Sequence, residues 1–452
     1  MYSTSRPGRP TPSLGVPVPD TRAPLAPRSP DVSRFRRAAI IVALMAAGES
    51  VFLLPFVLAR VFRPTLLDVF GITNLELGIA FSVYGLVAMI AYFAGGPIAD
   101  RYSARALMAS ALATTGLGGV VLAGIPSTDV MNVLWGSWGA TTILLFWSAM
   151  LRATREWGGV RAQGRAFGLL DGGRGLLAAL IASTTVLVYA RLLPVAPDVA
   201  SLEQRASAFS GVIWVFTCFT MLIAVLVYLI VPGNDSTADT TDRPRLSMAG
   251  VRASVRMPTV WLHAVIVVCA YVGYKATDDF SLLARDALGY DDVEAGAIGT
   301  LSFWMRAVTA IAAGYAADRI DSSRVVLWGF GFLTVGSGLI ASGALRPGVA
   351  WMLFAAIITT SVGVYALRGV YFALLAEGAV PMAFTGSAIG VVSFIGFTPD
   401  VFMGPLMGLL LDRSPGLAGH QHVFAAVGGF GLVGWMAAAT FRRFRPNPPE
   451  TT

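Results

Sequence analysis

The sequence predicts an all-α membrane protein of twelve transmembrane helices in two six-helix halves. Three observations carry this reading. The 452 residues are 55% hydrophobic and only 13% charged, too little polar surface for a water-soluble chain of this length. Apolar runs of about 20 or more residues recur along nearly the whole chain, each enough to cross a bilayer core of about 30 Å and too continuous for barrel strands. A short pattern also occurs twice, 218 residues apart: Gly96-Pro97-Ile98-Ala99-Asp100-Arg101 and Gly314-Tyr315-Ala316-Ala317-Asp318-Arg319. Each copy follows the second apolar run of its half and precedes a further arginine, Arg105 or Arg324. Matching placement marks a duplication, and two matching membrane halves with a site between them are the plan of a transporter.

The elements follow in order. Residues 1–36 are predicted to be a disordered cytoplasmic tail, since 1–33 hold eight prolines, several arginines and no apolar stretch of a signal peptide. The N-terminal half, 37–231, carries spans at 37–62, 74–99, 104–125, 130–151, 165–191 and 209–231. The stretch 232–259 opens with Pro232-Gly233-Asn234-Asp235 and holds Arg243, Arg245, Arg252 and Arg256, as expected of a mobile cytoplasmic linker. The C-terminal half, 260–440, carries spans at 260–284, 293–317, 323–344, 349–376, 382–411 and 420–440, and 441–452 is a second cytoplasmic tail. No stretch outside the spans is long enough to bury a second, soluble core.

A net charge of +7 invites a nucleic-acid partner, but its placement argues against one. Of the 33 basic residues, all arginine except Lys275, 22 lie in or beside the segments on the side of the N-terminus and 7 on the other side, leaving four inside spans. The positive-inside rule then puts both termini in the cytoplasm. Cys218 and Cys269 fall within apolar spans and read as small buried hydrophobes. His263, His420 and His422 form no metal set, and no Gly-x-x-x-x-Gly-Lys-Ser/Thr run is present for ATP. With no nucleophile-base arrangement in view, neither an enzyme nor a cofactor nor a metal is expected. The expected partners are a small-molecule solute and the lipid bilayer, with no nucleic acid, and the protein is expected to work as a monomer.

An ionisable side chain at bilayer depth costs about 2.5–3.5 kcal/mol on insertion scales, so each is a functional candidate. The set is Glu49, Asp171, Arg174, Lys275, Asp278, Asp279, Arg306, Arg368 and Asp400. Glu49, Arg306 and Asp400 fall in the middle third of their spans, and Arg174 and Arg368 nearer the cytoplasm. Asp278 and Asp279 fall near the outer end, where water reaches them. Asp171 and Arg174 lie three residues apart on one helical face and suit a local ion pair. A shift of 226 residues maps Glu49 onto Lys275 and Arg174 onto Asp400, so equivalent places carry opposite charges. Tyr84, Trp138, Trp147, Tyr271, Tyr274, Trp304 and Tyr365 are the aromatic candidates for an organic solute. Pro55, Pro399, Pro405, Gly172, Gly173, Gly363 and Gly369 permit helix bends.

Twelve spans, a central loop after the sixth and the repeated loop after the second and eighth resemble the major facilitator superfamily over roughly residues 35–445. The family pattern is roughly G-x-L-x-D-R-x-G-R-[RK]; Ser103 and Ala104 stand where its second Gly and next Arg are common, and the second copy has one extra residue before Arg324. In the eleventh span, Gly386-Ser387-Ala388-Ile389-Gly390-Val391-Val392-Ser393-Phe394-Ile395-Gly396-Phe397, then Gly404-Pro405-Leu406-Met407-Gly408 and Leu411-Asp412, is similar to the same helix of organophosphate:phosphate antiporters. Those antiporters place a basic residue in both the first and seventh spans; this chain has Glu49 in the first and Lys275 in the seventh.

The resemblance implies that the first, fourth, seventh and tenth spans line a central cavity. That brings Glu49, Lys275 and Arg368 to it, with Arg306, Arg174, Asp171 and Asp400 in reach from flanking spans. It implies a secondary transporter of a bacterial inner membrane working by alternating access with proton coupling, and the buried cations point to a small polar, anionic organic solute. Lys275, Arg368, Arg306 and Arg174 would bind the solute, and Glu49, Asp400 and Asp171 would serve proton coupling. Gly96, Asp100, Arg101, Arg105 and Gly314, Asp318, Arg319, Arg324 read as a conformational latch, the glycines allowing close helix approach. The alternatives are a proton-coupled drug exporter and a transporter-like ligand sensor without net transport.

Overall fold

The computed structural model describes residues 34–159, 163–233, 248–345, 349–378 and 385–444; the proline-rich tail, 234–247 of the linker and 445–452 lie outside them. Among the described residues, eleven helices are long and apolar enough to cross a membrane, and a bent pair, Arg34–Ser50 with Leu53–Val61, makes the twelfth. The remaining spans run Asn74–Arg101, Ala104–Ala123, Thr128–Gly158, Gln163–Leu192 and Leu202–Ile230 in the first half. In the second half they run Pro258–Leu288, Asp292–Ile320, Ser322–Ala341, Ala350–Ala373, Thr385–Gly396 continued by Pro399–Arg413, and Leu417–Phe444.

The breaks have local causes. The first span bends by 41° at a π-helical turn, Leu53–Val57, that contains Pro55; proline has no N–H to give the preceding turn. The eleventh span restarts at Pro399, the first residue of its second segment, whereas Pro405 lies inside a continuous helix. Gly363 is not a hinge: a Cβ there would stand 2.8 Å from Leu333 Cα, so this glycine serves helix packing. Within the linker, expected to be mobile, Met248–Val255 is helical and packs on Thr385–Gly396. The twelfth helix runs four residues past its predicted end, to Phe444. Cys218 is exposed, while Cys269 is buried as expected.

The duplication extends beyond the repeated loop. Gly71 (φ 62°) and Gly289 (φ 70°) each end a helix in the left-handed region that favours glycine. Two residues later Thr73 with Glu76, and Asp291 with Glu294, form capping boxes that start the second and eighth spans. Glycines and caps are separated by 218 residues, the offset of the loop repeat.

The halves meet on the side of the membrane away from the N-terminus, here called the far side. The second and eleventh spans cross there so tightly that a Cβ on Gly404 would stand 2.7 Å from Gly78 O. Asp412, at the end of the eleventh span, accepts the Asn74 and Leu75 backbone N–H groups at 3.1 and 2.8 Å. On the N-terminal, or tail, side the repeated loops stand clear. A Cβ on Gly96 or Gly314 would meet nothing within 4 Å, so the close approach expected at these glycines is not made in this conformation. Arg101, Asp318 and Arg319 are exposed; Arg319 lies over Tyr315 and Arg105 over Tyr228. Arg324 pairs with Asp321 at 3.4 Å. The Asp100 side chain lies outside the described residues.

Candidate solute site

A cavity of about 280 Å³ lies between the halves, and Glu49, Asp171, Arg174, Lys275, Arg306, Arg368 and Asp400 all line it. The seven come from six spans, so the site exists only once both halves pack. Exposure falls from Asp171 (65% of its side chain), through Asp400 (16%), to Lys275 (3%). The mouth is therefore on the tail side and the floor toward the far side.

The charges sort into two clusters. Glu49 lies 3.6 Å from Arg174 and 3.5 Å from Arg306, which reaches it from the other half. Asp171 lies 3.6 Å from Arg174, the local pair expected from their spacing, and 3.9 Å from Arg306. In the second cluster Lys275 lies 3.5 Å from Asp278 and 3.6 Å from Asp400, and Asp400 accepts the Tyr271 hydroxyl at 3.1 Å.

The floor is closed by an ion pair that the sequence does not announce. Arg60 meets Asp278 at 2.5 Å across the halves, and its guanidinium lies over Tyr274 and Phe303. By sequence Arg60 counts with the flanking far-side loop, yet the helix resumes beyond the bend at Leu58–Val61 and carries it into the packed interior. Asp278 and Asp279 are buried, not wetted as expected: the seventh span runs to Leu288, past its expected end at 284, and the two acids are enclosed by ion pairs with Arg60 and His420. Asp278 follows Lys275 by one turn and so joins its face, while Asp279 turns the other way and holds His420 at 2.6 Å.

Arg368 stands apart. Its guanidinium lies 3.8 Å from the Tyr274 ring centre and 5.5 Å from Tyr271, and its buried Nη1 has no hydrogen-bond partner. Arg60, Arg174, Lys275 and Arg306 are each within 4.0 Å of a carboxylate; among the described residues Arg368 forms no such pair. Of the aromatic candidates, Tyr84, Trp147, Tyr271, Tyr274 and Tyr365 line the cavity. Trp138 donates instead to the Thr115 carbonyl, and Trp304 to Ser183. Tyr92, Tyr371, Phe372 and Phe397 join the wall unannounced. Among the described residues no group of His, Cys, Asp and Glu is placed to hold a metal.

Two bundles of six helices, closed against each other on one side around a charged central cavity, define a membrane transporter of the two-half kind. The chain belongs to the Major Facilitator Superfamily, whose sequence profile matches residues 38–284. It is 27% identical over 383 residues to Inner membrane protein YqcE of Escherichia coli, covering 83% of this chain and 87% of that one. Inner membrane protein YihN of the same organism is 24% identical over 414 residues, covering 88% and 94%. Among solved structures, a mutant form of the nucleoside transporter NupG superposes with a TM-score of 0.70 at 12% identity, over 90% of this chain and 99% of that one. At that identity the likeness shows the fold alone.

Proposed function

We propose that this protein moves a small organic anion across a bacterial inner membrane by alternating access, with its tail side in the cytoplasm. The names of two Escherichia coli relatives support the inner membrane, and the arginine bias supports a cytoplasmic tail side. With the far side packed and the mouth on the tail side, the conformation is then inward-open.

The observation that carries the substrate reading is Arg368. A partly buried guanidinium without a carboxylate, one of its nitrogens shut off from solvent and unpaired, is a costly arrangement unless a ligand supplies the missing acceptor. An anion seated there would take up the free Nη1 donor and lay its organic body against Tyr271, Tyr274 and Tyr371. Lys275, Arg306 and Arg174 reach the same solute only by sharing it with the acids they already hold, so they are secondary contacts.

Contacts and exposure separate the candidate proton carriers. A proton on Asp400 leaves Lys275 and Arg60 sharing Asp278, and a proton on Glu49 leaves Arg174 and Arg306 sharing Asp171, so the charge count is the same. Asp400 touches one cation where Glu49 touches two, and its side chain is 16% exposed against 3%. Asp400 is therefore the better carrier, although Glu49 is the more central residue.

A thermal-shift screen of the purified protein against phosphorylated sugars, carboxylates and inorganic anions tests this reading. An anion that stabilises the wild type and leaves Arg368→Ala unmoved supports it. Stabilisation by cationic or apolar compounds, with no anion active, overturns it.

A further inference from the structure

The far side of each half carries the same tie, built with different chemistry. In the N-terminal half Asp68, three residues before Gly71, pairs at 2.8 Å with Arg205, the fourth residue of the sixth span. In the C-terminal half Asp286, three residues before Gly289, meets His420 at 3.2 Å, the fourth residue of the twelfth span. An arginine, always charged, thus has a histidine as its counterpart.

His420 is fully buried, and its other ring nitrogen, Nδ1, lies 2.6 Å from Asp279. Neutral imidazole has one N–H donor and one lone pair, so it can donate to only one of two carboxylates. Its lone pair would face the second. The three groups fit together only with one additional proton, held on the imidazole or on a carboxyl. Among groups on the neighbouring elements, Arg285 contacts Asp286, and Arg63 lies within electrostatic reach of Asp279. Lys275 is engaged with Asp278 and Asp400, Asp412 with the start of the second span, and Arg413 is exposed.

Arg285 connects this cluster to the contact between the halves. It lies 3.6 Å from Asp286 and donates to Asp68 of the other half at 2.8 Å. While His420 carries the proton, Asp286 is satisfied and Arg285 is free to hold Asp68. Once the proton leaves, Asp286 draws on Arg285 in competition with Asp68, and the inter-half tie weakens.

We infer that Asp279, His420 and Asp286 form a proton-binding site, separate from the solute cavity, whose occupancy favours far-side closure. By linkage the far-closed conformation binds that proton more tightly than the far-open one. The inference rests on the alternating-access reading above and adds to it a second place at which protons act.

The test needs no solute. Spin labels at Asp198→Cys and Trp351→Cys, both exposed on the far side in opposite halves, report the gap by pulsed electron resonance in a Cys218→Ser background. In reconstituted wild type the far-open fraction should rise several-fold from acid to alkaline pH. Both His420→Gln and Asp286→Asn should abolish that response. The second variant guards against misfolding, because an Asn amide donates to the neutral imidazole and satisfies the cluster without the additional proton. A pH-independent wild type, or a wild-type response surviving in either variant, overturns the inference. Either result leaves the solute-site reading standing, since that reading fails only on its own ligand screen.

Discussion

Glu49 and Lys275, each in the first span of its half, are paired alike with signs reversed. Glu49 holds Arg174 at 3.6 Å, from the first span to the fifth; Lys275 holds Asp400 at 3.6 Å, from the seventh to the eleventh. Each half thus ties its first span to its fifth by an ion pair of opposite polarity, so two ion pairs line one cavity with little net charge between them. Arg306 breaks the symmetry by reaching Glu49 from the opposite half, which makes the first pair sensitive to how the halves sit.

The Lys275–Asp400 pair gives a stability test. Breaking a buried pair from one side strands a charge and costs about 3–5 kcal/mol. Lys275→Ala should therefore melt well below wild type in detergent, and Lys275→Ala combined with Asp400→Asn should recover part of the loss, a coupling of about 0.5–3 kcal/mol. Additive losses in the thermal melts would show that the two side chains do not act as a pair.

Asp400 and Glu49 should separate in a transport assay. Asp400→Asn is expected to keep counterflow exchange of the stabilising anion and to lose accumulation driven by a pH gradient. Glu49→Gln, which leaves two guanidiniums short of a carboxylate, should lose both. Retained gradient-driven accumulation in Asp400→Asn would remove it as the proton carrier.

Gly404→Val should prevent the second and eleventh spans from crossing, since Gly78 O already stands where the new side chain must go. The expected result is a far side open to an impermeant thiol reagent and no transport. Gly338→Ala is the control: a Cβ there meets nothing within 4 Å, and the variant should behave as wild type. Normal transport by Gly404→Val would show that this crossing does not need to close.

Much of this was legible in the sequence because membrane helices announce themselves by length and because burial of a charge is conspicuous there. Seven of the nine charged candidates named from the chain line one cavity. What escaped were residues at span ends. Arg60 counts with the adjoining loop, and Asp278 and Asp279 are expected to be wet because they lie near a span end; only the packing of the two halves shows all three to be buried. The pairing of Arg174 and Arg306 with Glu49 was also hidden, since three spans from two halves must converge before any partner can be assigned. The capping boxes at Thr73 and Asp291 were readable by the same 218-residue offset as the loops, and would have fixed the register of the two halves more firmly than the looser Gly-x-x-x-Asp-Arg pattern.

The most direct measurement is counterflow of the anion found by thermal shift in proteoliposomes preloaded with it, comparing wild type with Arg368→Ala and Arg368→Lys. If Arg368 anchors the solute, its removal should cost about 2 kcal/mol or more of binding, close to a 30-fold weaker interaction. Lysine, without the planar fork, should restore only part. Exchange by the wild type and its loss in Arg368→Ala is the expected result. Binding without exchange would make the protein a sensor, and undiminished exchange in Arg368→Ala would contradict the site.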